Sequence, residues 1–328
     1  MTASPDSRVR IGIMGCSDFS ARIMIGAIRS VPELDLVAVA SRTPEKAADY
    51  ARRFGCDGVT GYDRLLARPD VDCIYMALPT GLHPEWVTKS LAAGKHVLAE
   101  KSFAPDLAST TRLVELARSR NLLVTENFSF HLHSQFAWFR EQIAGGAVGS
   151  VHLFRGNFSF PPLKAGNFRY DAALGGGARL DAGAYMVKVS RLFLGDEMRL
   201  VGAALRHDPA LGVDVEGTAT FAASKGAVAQ VAFGFNSFYQ CNWEVIGTTG
   251  KLTIDRAYTP PPAFSPAARL ERQNIRQEFT LPADNHYRNK LIDLVGGIRT
   301  EAGYSRYWDD LVQQARHLES IRQNAISL

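Results

Sequence analysis

The sequence predicts a two-domain α/β protein, with a doubly wound parallel sheet in residues 1–125 and a second α+β domain in residues 126–328. The chain has 328 residues, more than one hydrophobic core usually supports. In its first third, short apolar runs alternate with helical patterns, which is typical of a parallel sheet covered on both faces. Closely spaced strand patterns dominate thereafter and favour a large open antiparallel sheet.

The first domain is predicted to contain five strands that alternate with helices. Start and stop signals such as Pro44 and Gly94 bound the helices. The predicted strands are 9–14, 34–40, 71–78, 96–99 and 122–125, and the predicted helices are 21–29, 44–54, 84–93 and 106–119. The carboxyl ends of such parallel strands meet at one edge of the sheet, where ligands bind.

The second domain is predicted to be strand-rich, with helices at 134–143 and 182–194 and two more near the C-terminus. Its predicted strands are 151–160, 200–207, 218–223, 227–238, 243–248, 251–254 and 270–281, and its last helices are 286–298 and 307–324. The proline-rich stretch 259–266 cannot form a regular helix or a central strand.

Composition excludes several classes of protein. Apolar residues make up 46% and charged residues 21% of the chain, as in globular proteins. The net charge of +4 comes without a basic block, which argues against a nucleic-acid partner. No apolar run reaches the roughly 20 residues of a membrane span, and the start lacks a secretion signal. The four cysteines show no paired or zinc-binding spacing, so we expect free thiols, no metal and a cytoplasmic location.

A glycine turn follows the first strand and resembles an imperfect dinucleotide fingerprint. Gly15 supplies the tight turn, Ser17 stands where the backbone approaches a pyrophosphate, and Ser20 stands where helix and strand pack closely. Cys16 and Phe19 complete the turn. Backbone N–H groups at the helix start would receive the diphosphate of a dinucleotide.

The end of the second strand favours NADP over NAD. An NAD site would place an acidic residue there for the ribose 2′-hydroxyl, but this chain has Ser41, Arg42 and Thr43. Arg42 can bind a 2′-phosphate with two hydrogen bonds, and the hydroxyls add donors. Alternatively, Arg42 is a surface residue and Thr43 only caps the next helix.

The third predicted strand opens into Leu78, Thr80 and His83, which we expect at the cofactor site because they follow a strand end. His83 either hydrogen-bonds the cofactor diphosphate or ribose, or caps the helix that begins at Pro84.

Several segments together resemble the glucose–fructose oxidoreductase, inositol dehydrogenase and rhizopine catabolism family (Gfo/Idh/MocA). They are residues 10–16, Ala77-Leu78-Pro79-Thr80 with His83, residues 94–101 ending in Glu100-Lys101, residues 175–185 with Asp181 and Tyr185, and residues 245–252. The likeness covers nearly the whole chain. It implies a Rossmann domain, a second domain with a large open antiparallel sheet, a nicotinamide cofactor, and Lys101 near a substrate carbonyl. Among the branches of the family, the chain looks nearest to the nucleotide-sugar 3-ketoreductases.

Two positions depart from the family pattern. Ser102 replaces the proline that usually follows the lysine, which leaves the local turn open. Tyr185 stands where members similar to inositol dehydrogenase carry histidine. The tyrosine places the chain nearer the branch that contains sugar 3-ketoreductases, glucose–fructose oxidoreductase and dihydrodiol dehydrogenase.

Lys101 and Tyr185 form the predicted catalytic pair. Addition of hydride to a ketone creates an alkoxide, which needs a proton and a nearby positive charge. Either residue can be the proton donor. Asp181 lies one helical turn before Tyr185 and either holds a substrate hydroxyl, orients the pair, or caps the helix.

Five further residues are weaker candidates. Glu100 either contacts the nicotinamide ribose or supports its neighbour, and Asn127 either meets the carboxamide or makes a turn. Arg22 either binds a substrate phosphate or is an exposed helix residue. Lys164 and Arg169 are candidates for binding an anionic substrate, although Lys164 also suits a solvated loop.

The sequence therefore predicts an NADP(H)-dependent oxidoreductase of sugars, most specifically a C3-ketoreductase of a dTDP-linked 3,4-diketo-2,6-dideoxyhexose in antibiotic sugar biosynthesis. The alternatives are an aldose or dihydrodiol dehydrogenase and a non-catalytic NADP-binding regulator. We also expect a homo-oligomer, dimer or tetramer, formed through an aromatic patch on the second domain. The residues expected in this patch are Phe158, Phe160, Phe233, Phe235 and Phe238.

Overall fold

The computed structural model describes residues 8–224, 226–300 and 303–328. Contacts within the chain divide it into two compact units. The first unit comprises residues up to Phe128 together with Tyr287–Val312, and the second comprises Ser129–His286 and Gln313–Leu328. Among the described residues, no helix combines the length and the apolar character needed to cross a bilayer.

Six parallel strands form the sheet of the first unit. They are β1 (Val9–Met14), β2 (Leu34–Ser41), β3 (Asp57–Thr60), β4 (Cys73–Met76), β5 (His96–Ala99) and β6 (Val124–Glu126), arranged in the order β3-β2-β1-β4-β5-β6. The chain order reverses between β1 and β4, which is the place where doubly wound sheets bind ligands. The predicted parallel sheet is confirmed. It contains one strand that was not predicted, β3, which lies at the edge of the sheet, is partly exposed and has no apolar run in its sequence.

Helices connect these strands, as a parallel sheet requires. A π-helical turn, Ser20–Met24, leads into α1 (Ile25–Arg29), and the others are α2 (Pro44–Phe54), α3 (Tyr62–Leu66), α4 (His83–Ala92) and α5 (Leu107–Ser119). Pro44 occupies the first turn of α2, and Gly55 ends that helix in a left-handed conformation. Buried side chains of β1, β4 and β5 fill the core between the helical layers.

The second unit is built on a nine-stranded mixed sheet. Its strands are β7 (Val151–Ser159), β8 (Arg199–Asp208), β9 (Val213–Ala222), β10 (Val228–Gly234), β11 (Gln240–Gly247), β12 (Gly250–Ile254), β13 (Ala267–Arg272), β14 (Ile275–Thr280) and β15 (Ala325–Ser327), in the order β14-β13-β12-β11-β7-β10-β9-β8-β15. Most neighbours are antiparallel, as predicted, but β7 pairs with β10 and β8 with β15 in parallel. The predicted strand 270–281 is a hairpin, because Asn274 turns the chain at φ +60°.

Helices α6 (Ser134–Ala144) and α7 (Ala182–Leu194) belong to the second unit, and α7 is buried along most of its length. The predicted aromatic surface patch is wrong in its main part, because Phe158, Phe233 and Phe235 are buried side chains. Gly183 of α7 packs directly against the ring of Phe233. These rings therefore belong to the core under α7, and Phe238 is exposed.

Part of the C-terminal segment belongs to the first unit, whereas the predicted boundary at residue 125 assigned all of it to the second domain. Helices α8 (His286–Thr300) and α9 (Tyr304–Asn324) follow β14, and residues 287–312 are part of the first unit. Leu291 and Leu294 are buried in its core, and the indole N–H of Trp308 donates to the carbonyl oxygen of Leu122 at 3.3 Å. An apolar helix face cannot reveal from sequence which core will cover it.

Candidate active site

The turn after β1 is closed by a glycine that no other residue can replace without displacing the backbone. Gly15 has φ +102°, which L side chains rarely adopt. A Cβ atom at this position would lie 2.8 Å from the carbonyl oxygen of Ala77 and 2.9 Å from the side chain of Leu78. Gly15 therefore lets the turns after β1 and β4 approach each other at the switch point of the sheet.

Serine hydroxyls order the rest of this turn. The Ser17 and Ser20 hydroxyl oxygens are 2.7 Å apart, and the Ser20 N–H donates to the Ser17 hydroxyl at 3.1 Å. Tyr50 donates its hydroxyl proton to the Ser17 carbonyl oxygen at 3.0 Å. Cys16 is buried, and its pKa is raised to about 11 by that burial. The structure thus holds the turn by internal hydrogen bonds and keeps the Cys16 thiol protonated.

The contacts of Phe19 and Arg22 differ from those expected of ligand-binding residues. The ring of Phe19 packs edge-on against Tyr287 at 5.6 Å between centroids, so it belongs to the first unit's packing. Arg22 pairs with Asp18 at 2.8 Å, and both side chains are at least 70% exposed. The geometry favours the alternative in which Arg22 is a surface residue of the helix.

Ser41, Arg42 and Thr43 form a short polar turn after β2. The Thr43 N–H donates to the Ser41 hydroxyl at 3.2 Å, and the Ser41 carbonyl accepts from Gly61 at 2.8 Å. Arg42 is exposed, and within the described part of the chain its guanidinium has no hydrogen-bond or ion-pair partner. Because its charge is not neutralised by a carboxylate, the guanidinium is available to an anion.

His83 has a different role from direct cofactor binding, which corrects the sequence prediction. It is fully buried, and its two ring nitrogens face backbone carbonyl oxygens of Leu78 at 2.9 Å and Phe103 at 3.0 Å. Burial lowers the pKa of His83. The neutral imidazole donates its one N–H to one of these carbonyl oxygens and lies against the other. It therefore packs between the turn after β4, which contains the buried Thr80, and the loop after β5, and neither nitrogen faces a ligand.

The loop that carries Lys101 is held from two sides. His83 holds the carbonyl group of Phe103, and the Phe103 N–H donates to the buried carboxylate of Glu126 at 3.1 Å. The peptide bond between Lys101 and Ser102 is cis, although residue 102 is not proline. Two buried side chains therefore anchor the backbone two residues beyond Lys101.

Glu100 lies in a hydrogen-bonded network at the ends of β4, β5 and β6. Its Oε1 accepts the hydroxyl proton of Tyr75 at 2.7 Å and an amide proton of Asn127 at 2.8 Å. Burial raises the pKa of Glu100, while these two donors and the charge of Lys101 oppose the increase. The structure thus brings together Glu100 and Asn127, two separate candidates of the sequence, and adds Tyr75 to them.

These features fit a phosphorylated dinucleotide. Gly15 lets the turn at the switch point pass close to the backbone after β4, and Arg42 supplies a positive charge after β2 that no carboxylate of the described residues neutralises. The Oδ1 atom of Asn127 is buried and has no hydrogen-bond partner among the described residues, so it is an acceptor available to an amide such as a carboxamide. Turn, cation and acceptor all lie at carboxyl ends of strands in the parallel sheet.

In the second unit, Asp181 precedes α7 and pairs with Arg169. The Arg169 Nε–H donates to Asp181 Oδ2 at 2.6 Å, and their side chains are 30% and 15% exposed. Asp181 makes no side-chain hydrogen bond to the first turn of α7, so the helix-cap alternative is not supported. Lys164 lies exposed in the loop before this pair, as the surface alternative predicts.

The glycine run before α7 makes close approaches to other backbone and side-chain atoms. A Cβ atom at Gly176 would lie 2.5 Å from the Arg169 carbonyl oxygen, and one at Gly177 would lie 2.5 Å from Asp214 Oδ1. Asp214 in turn accepts from the N–H of Arg179 at 2.5 Å. The run therefore seats the start of α7 against β9 and the segment that carries Arg169.

Tyr185 projects from the first turn of α7 into an aromatic cluster. Its ring is edge-on to Phe158 at 5.0 Å and lies 5.8 Å from both Phe130 and Tyr258. The hydroxyl of Tyr258 is committed to the Asn242 carbonyl oxygen at 3.1 Å. The rings restrict the orientation of Tyr185, whose side chain is partly exposed.

Tyr75 and Glu126 are functional candidates that were not predicted from the sequence. Tyr75 is hidden in an apolar strand, and the signal that reveals it is a hydroxyl in the middle of a fully buried run. Glu126 ends β6 immediately before Asn127, and an acid at a buried strand end was its signal. Tyr75 contacts Glu100, which the sequence did single out, and Glu126 accepts from Phe103 in the loop that follows Lys101.

Comparison with known proteins gives consistent matches along the chain. A family model described as an oxidoreductase family with an NAD-binding Rossmann fold matches residues 9–128, and a GFO/IDH/MocA C-terminal domain model matches residues 136–253. A dTDP-3,4-didehydro-2,6-dideoxy-alpha-D-glucose 3-reductase from Streptomyces violaceoruber is 40% identical over an alignment of 327 positions that covers 97% of this chain and 95% of the relative.

Solved structures and a further relative extend the comparison. A 3-ketoreductase from Actinomadura kijaniata in complex with NADP and TDP-benzene superposes with a TM-score of 0.95 at 36% identity, covering 98% of this chain and 99% of that one. An NADP(+)-dependent D-xylose 1-dehydrogenase from Haloferax volcanii is 31% identical over 96% of both chains.

Proposed function

The chain belongs to the Gfo/Idh/MocA oxidoreductase family, and from this premise we propose that it is an NADP(H)-dependent 3-ketoreductase of a dTDP-linked 3,4-didehydro-2,6-dideoxyhexose. The observation that carries the proposal is the 40% identity to the Streptomyces 3-reductase over nearly the full length of both proteins. The structural match to a 3-ketoreductase crystallised with NADP and a TDP compound supports the cofactor and the nucleotide-linked substrate.

Residues of the first unit bind the cofactor in this proposal. The turn at Gly15 receives the diphosphate, Arg42 binds the 2′-phosphate, and Asn127 accepts from the carboxamide. When bound, reduced nicotinamide supplies a hydride to the ketone carbon. Lys101 is assigned to polarise the carbonyl oxygen, and Tyr185 to hold and deliver the proton that this oxygen needs.

Chemistry and the compared variants support the assignment of this pair. The solved structures of the Actinomadura enzyme include a tyrosine-to-phenylalanine variant and lysine variants to alanine and to glutamate, so the same two residue types were altered there. Asp181 lies directly before the helix that carries Tyr185 and is held by Arg169, and we assign to this ion pair a contact with the substrate.

Turnover of defined sugars tests the proposed function. The wild-type protein is mixed with dTDP-3,4-didehydro-2,6-dideoxyglucose and deuterated NADPH, and separately with D-xylose and NADP⁺. We expect NADPH oxidation in the first reaction, with deuterium at C3 of the sugar, and no comparable reduction of NADP⁺ in the second. Turnover of free xylose without turnover of the ketosugar would instead assign an aldose dehydrogenase, and NADPH binding with no turnover of either sugar would assign a regulator.

Replacing Arg42 by alanine should weaken NADPH binding about 10- to 100-fold, because hydrogen bonds to charged groups contribute about 1.5–3 kcal/mol. The Kd for NADH should change little, since NADH lacks the 2′-phosphate. Both constants are measured by fluorescence titration. Arg52→Ala, which removes an exposed arginine of α2 that pairs with Asp49, is the matched control. Equal losses for the two cofactors would contradict the assignment of Arg42.

Self-association through the second domain stays a prediction, with a revised surface. The face of the sheet away from α7 is polar, and there Arg155 hydrogen-bonds to Gln230 and Glu244 across neighbouring strands. We expect a dimer or tetramer by light scattering at micromolar concentration, and Arg155→Glu should shift it toward monomer. A monomeric wild-type mass would contradict this prediction. A cytoplasmic location and a part in antibiotic sugar biosynthesis likewise stay predictions.

A further inference from the structure

Tyr75 is a buried tyrosine of the parallel sheet in the first unit, and its hydroxyl lies beside the polar groups at the ends of neighbouring strands. It lies on β4, is fully buried, and donates its hydroxyl proton to Glu100 Oε1 at 2.7 Å. Burial raises the pKa of Tyr75, and the neighbouring charge of Glu100 raises it further. The hydroxyl therefore stays protonated and is a donor to the carboxylate that follows β5.

The contact with Glu100 determines which way the amide of Asn127 points. Its Nδ2 donates to Glu100 Oε1 at 2.8 Å and approaches the sulfur of Met24 at 3.5 Å. Glu100 Oε1 is an acceptor for both Tyr75 and Asn127, so the nitrogen side of the amide must face it. The opposite atom, Oδ1, is buried, and none of the residues that the structure describes donates to it. A buried acceptor without a partner is costly, and a ligand N–H at this point would remove the cost.

We propose that Tyr75 is a positioning residue that, by fixing Glu100, directs the Oδ1 atom of Asn127 toward the carboxamide of the bound nicotinamide. The proposal rests on the cofactor assignment of the proposed function and is independent of the identity of the sugar. Without the Tyr75 hydroxyl, Glu100 loses one of its two side-chain donors. The carboxylate is then free to rotate, and the Asn127 amide loses the contact that orients it.

Cofactor discrimination in the absence of sugar tests this proposal. The probes are NADPH and its analogue in which an acetyl group replaces the carboxamide, because only the carboxamide offers an N–H to Asn127. Each Kd is measured by fluorescence titration. The wild-type protein should favour NADPH about fivefold or more, the value of one net hydrogen bond of about 1 kcal/mol. In Tyr75→Phe this ratio should fall toward one.

Tyr307→Phe is the matched control. Tyr307 is a buried tyrosine of the same unit that also donates to a carboxylate, Asp293, at 2.9 Å, and it has no part in the cofactor site. The Tyr307→Phe variant should keep the wild-type ratio of the two Kd values. In Asn127→Ala this ratio should fall to about one, because the acceptor itself is gone. A purely structural role of Tyr75 would lower the melting temperature while leaving the ratio unchanged.

Each outcome bears on the proposal. A wild-type ratio in Tyr75→Phe, with Asn127→Ala discriminating poorly, would overturn the role of Tyr75. A wild-type ratio in Asn127→Ala would overturn the carboxamide contact. If Tyr75→Phe does not fold, Glu100→Gln answers the same question, because its amide allows Asn127 to turn over and should also lower the ratio. Failure of the wild-type protein to bind NADPH would overturn the proposed function itself, and this proposal with it.

Discussion

Replacing Tyr185 by phenylalanine should lower kcat for the ketosugar about 10²- to 10⁴-fold, the usual cost of losing a positioned proton donor. The substitution keeps the ring, which packs against Phe158 at 5.0 Å, and removes only the hydroxyl. The Kd for NADPH should stay near the wild-type value, because the proposed cofactor contacts lie in the first unit. Steady-state kinetics and a fluorescence titration of NADPH measure the two quantities.

Tyr258→Phe is the matched control for this substitution. Tyr258 belongs to the same aromatic cluster, but its hydroxyl donates to the Asn242 carbonyl oxygen at 3.1 Å and is not assigned to the reaction. This variant should lose some stability and keep its kcat. A wild-type kcat for a folded Tyr185→Phe would remove the tyrosine from the mechanism and leave Lys101 as the proton donor.

Lys101→Ala should lower kcat at least as much, because it also removes the charge that stabilises the developing alkoxide. If Lys101 and Tyr185 act on the same oxygen, the double variant should lose much less than the product of the two single losses. Fully multiplicative losses would instead indicate that the two residues act independently.

The fold of the first unit was largely predictable because its strands are buried on both faces. Continuous apolar runs such as 9–14 and 34–40 mark such strands directly. β3 escaped prediction for the opposite reason: it lies at the edge, and Asp57 and Gly58 are exposed. The hairpin of β13 and β14 was missed because its turn at Asn274 contains neither glycine nor proline.

The contacts between helices and strands were less predictable than the helices and strands themselves. The phenylalanines of β7 lie next to polar residues such as Arg155 and Asn157, whereas Phe233 of β10 lies between Ala232 and Gly234, and neither pattern reveals which face of the sheet α7 covers. In the structure Phe158 and Phe233 lie on the covered face, so the expected aromatic surface is absent among these residues. The helix of residues 287–300 likewise has an apolar face that suits either core.

The candidate site was predictable where a motif specifies backbone geometry. It was not predictable where burial determines which partner a side chain contacts. Gly15 shows the positive φ that its place in the motif requires. His83 was singled out correctly as important, but its nitrogens are occupied by the carbonyl oxygens of Leu78 and Phe103. Sequence spacing cannot distinguish a histidine that contacts a ligand from one that joins two loops. Tyr75 is a comparable case, since an apolar strand conceals its hydroxyl.

Replacing Gly15 by alanine should cost about 2–6 kcal/mol of unfolding free energy, the combined range for backbone strain and for overpacking. At φ +102° the new Cβ would lie 2.8 Å from the Ala77 carbonyl oxygen, and a backbone atom cannot move aside as a flexible side chain would. The turns after β1 and β4 must therefore separate. Because the diphosphate is expected at this turn, the Kd for NADPH should rise about tenfold or more, the effect of one or two lost hydrogen bonds.

Gly94→Ala is the control for Gly15→Ala, because it introduces backbone strain without a steric clash. Gly94 also has a positive φ, +72°, but a Cβ atom there would meet nothing within 4 Å. It should cost only about 1 kcal/mol, the order expected for alanine at a positive φ, and leave NADPH binding unchanged. Urea unfolding and fluorescence titration compare the two variants. If Gly15→Ala is no less stable than Gly94→Ala and binds NADPH normally, the turn yields more easily than its contacts indicate, and the diphosphate is bound elsewhere.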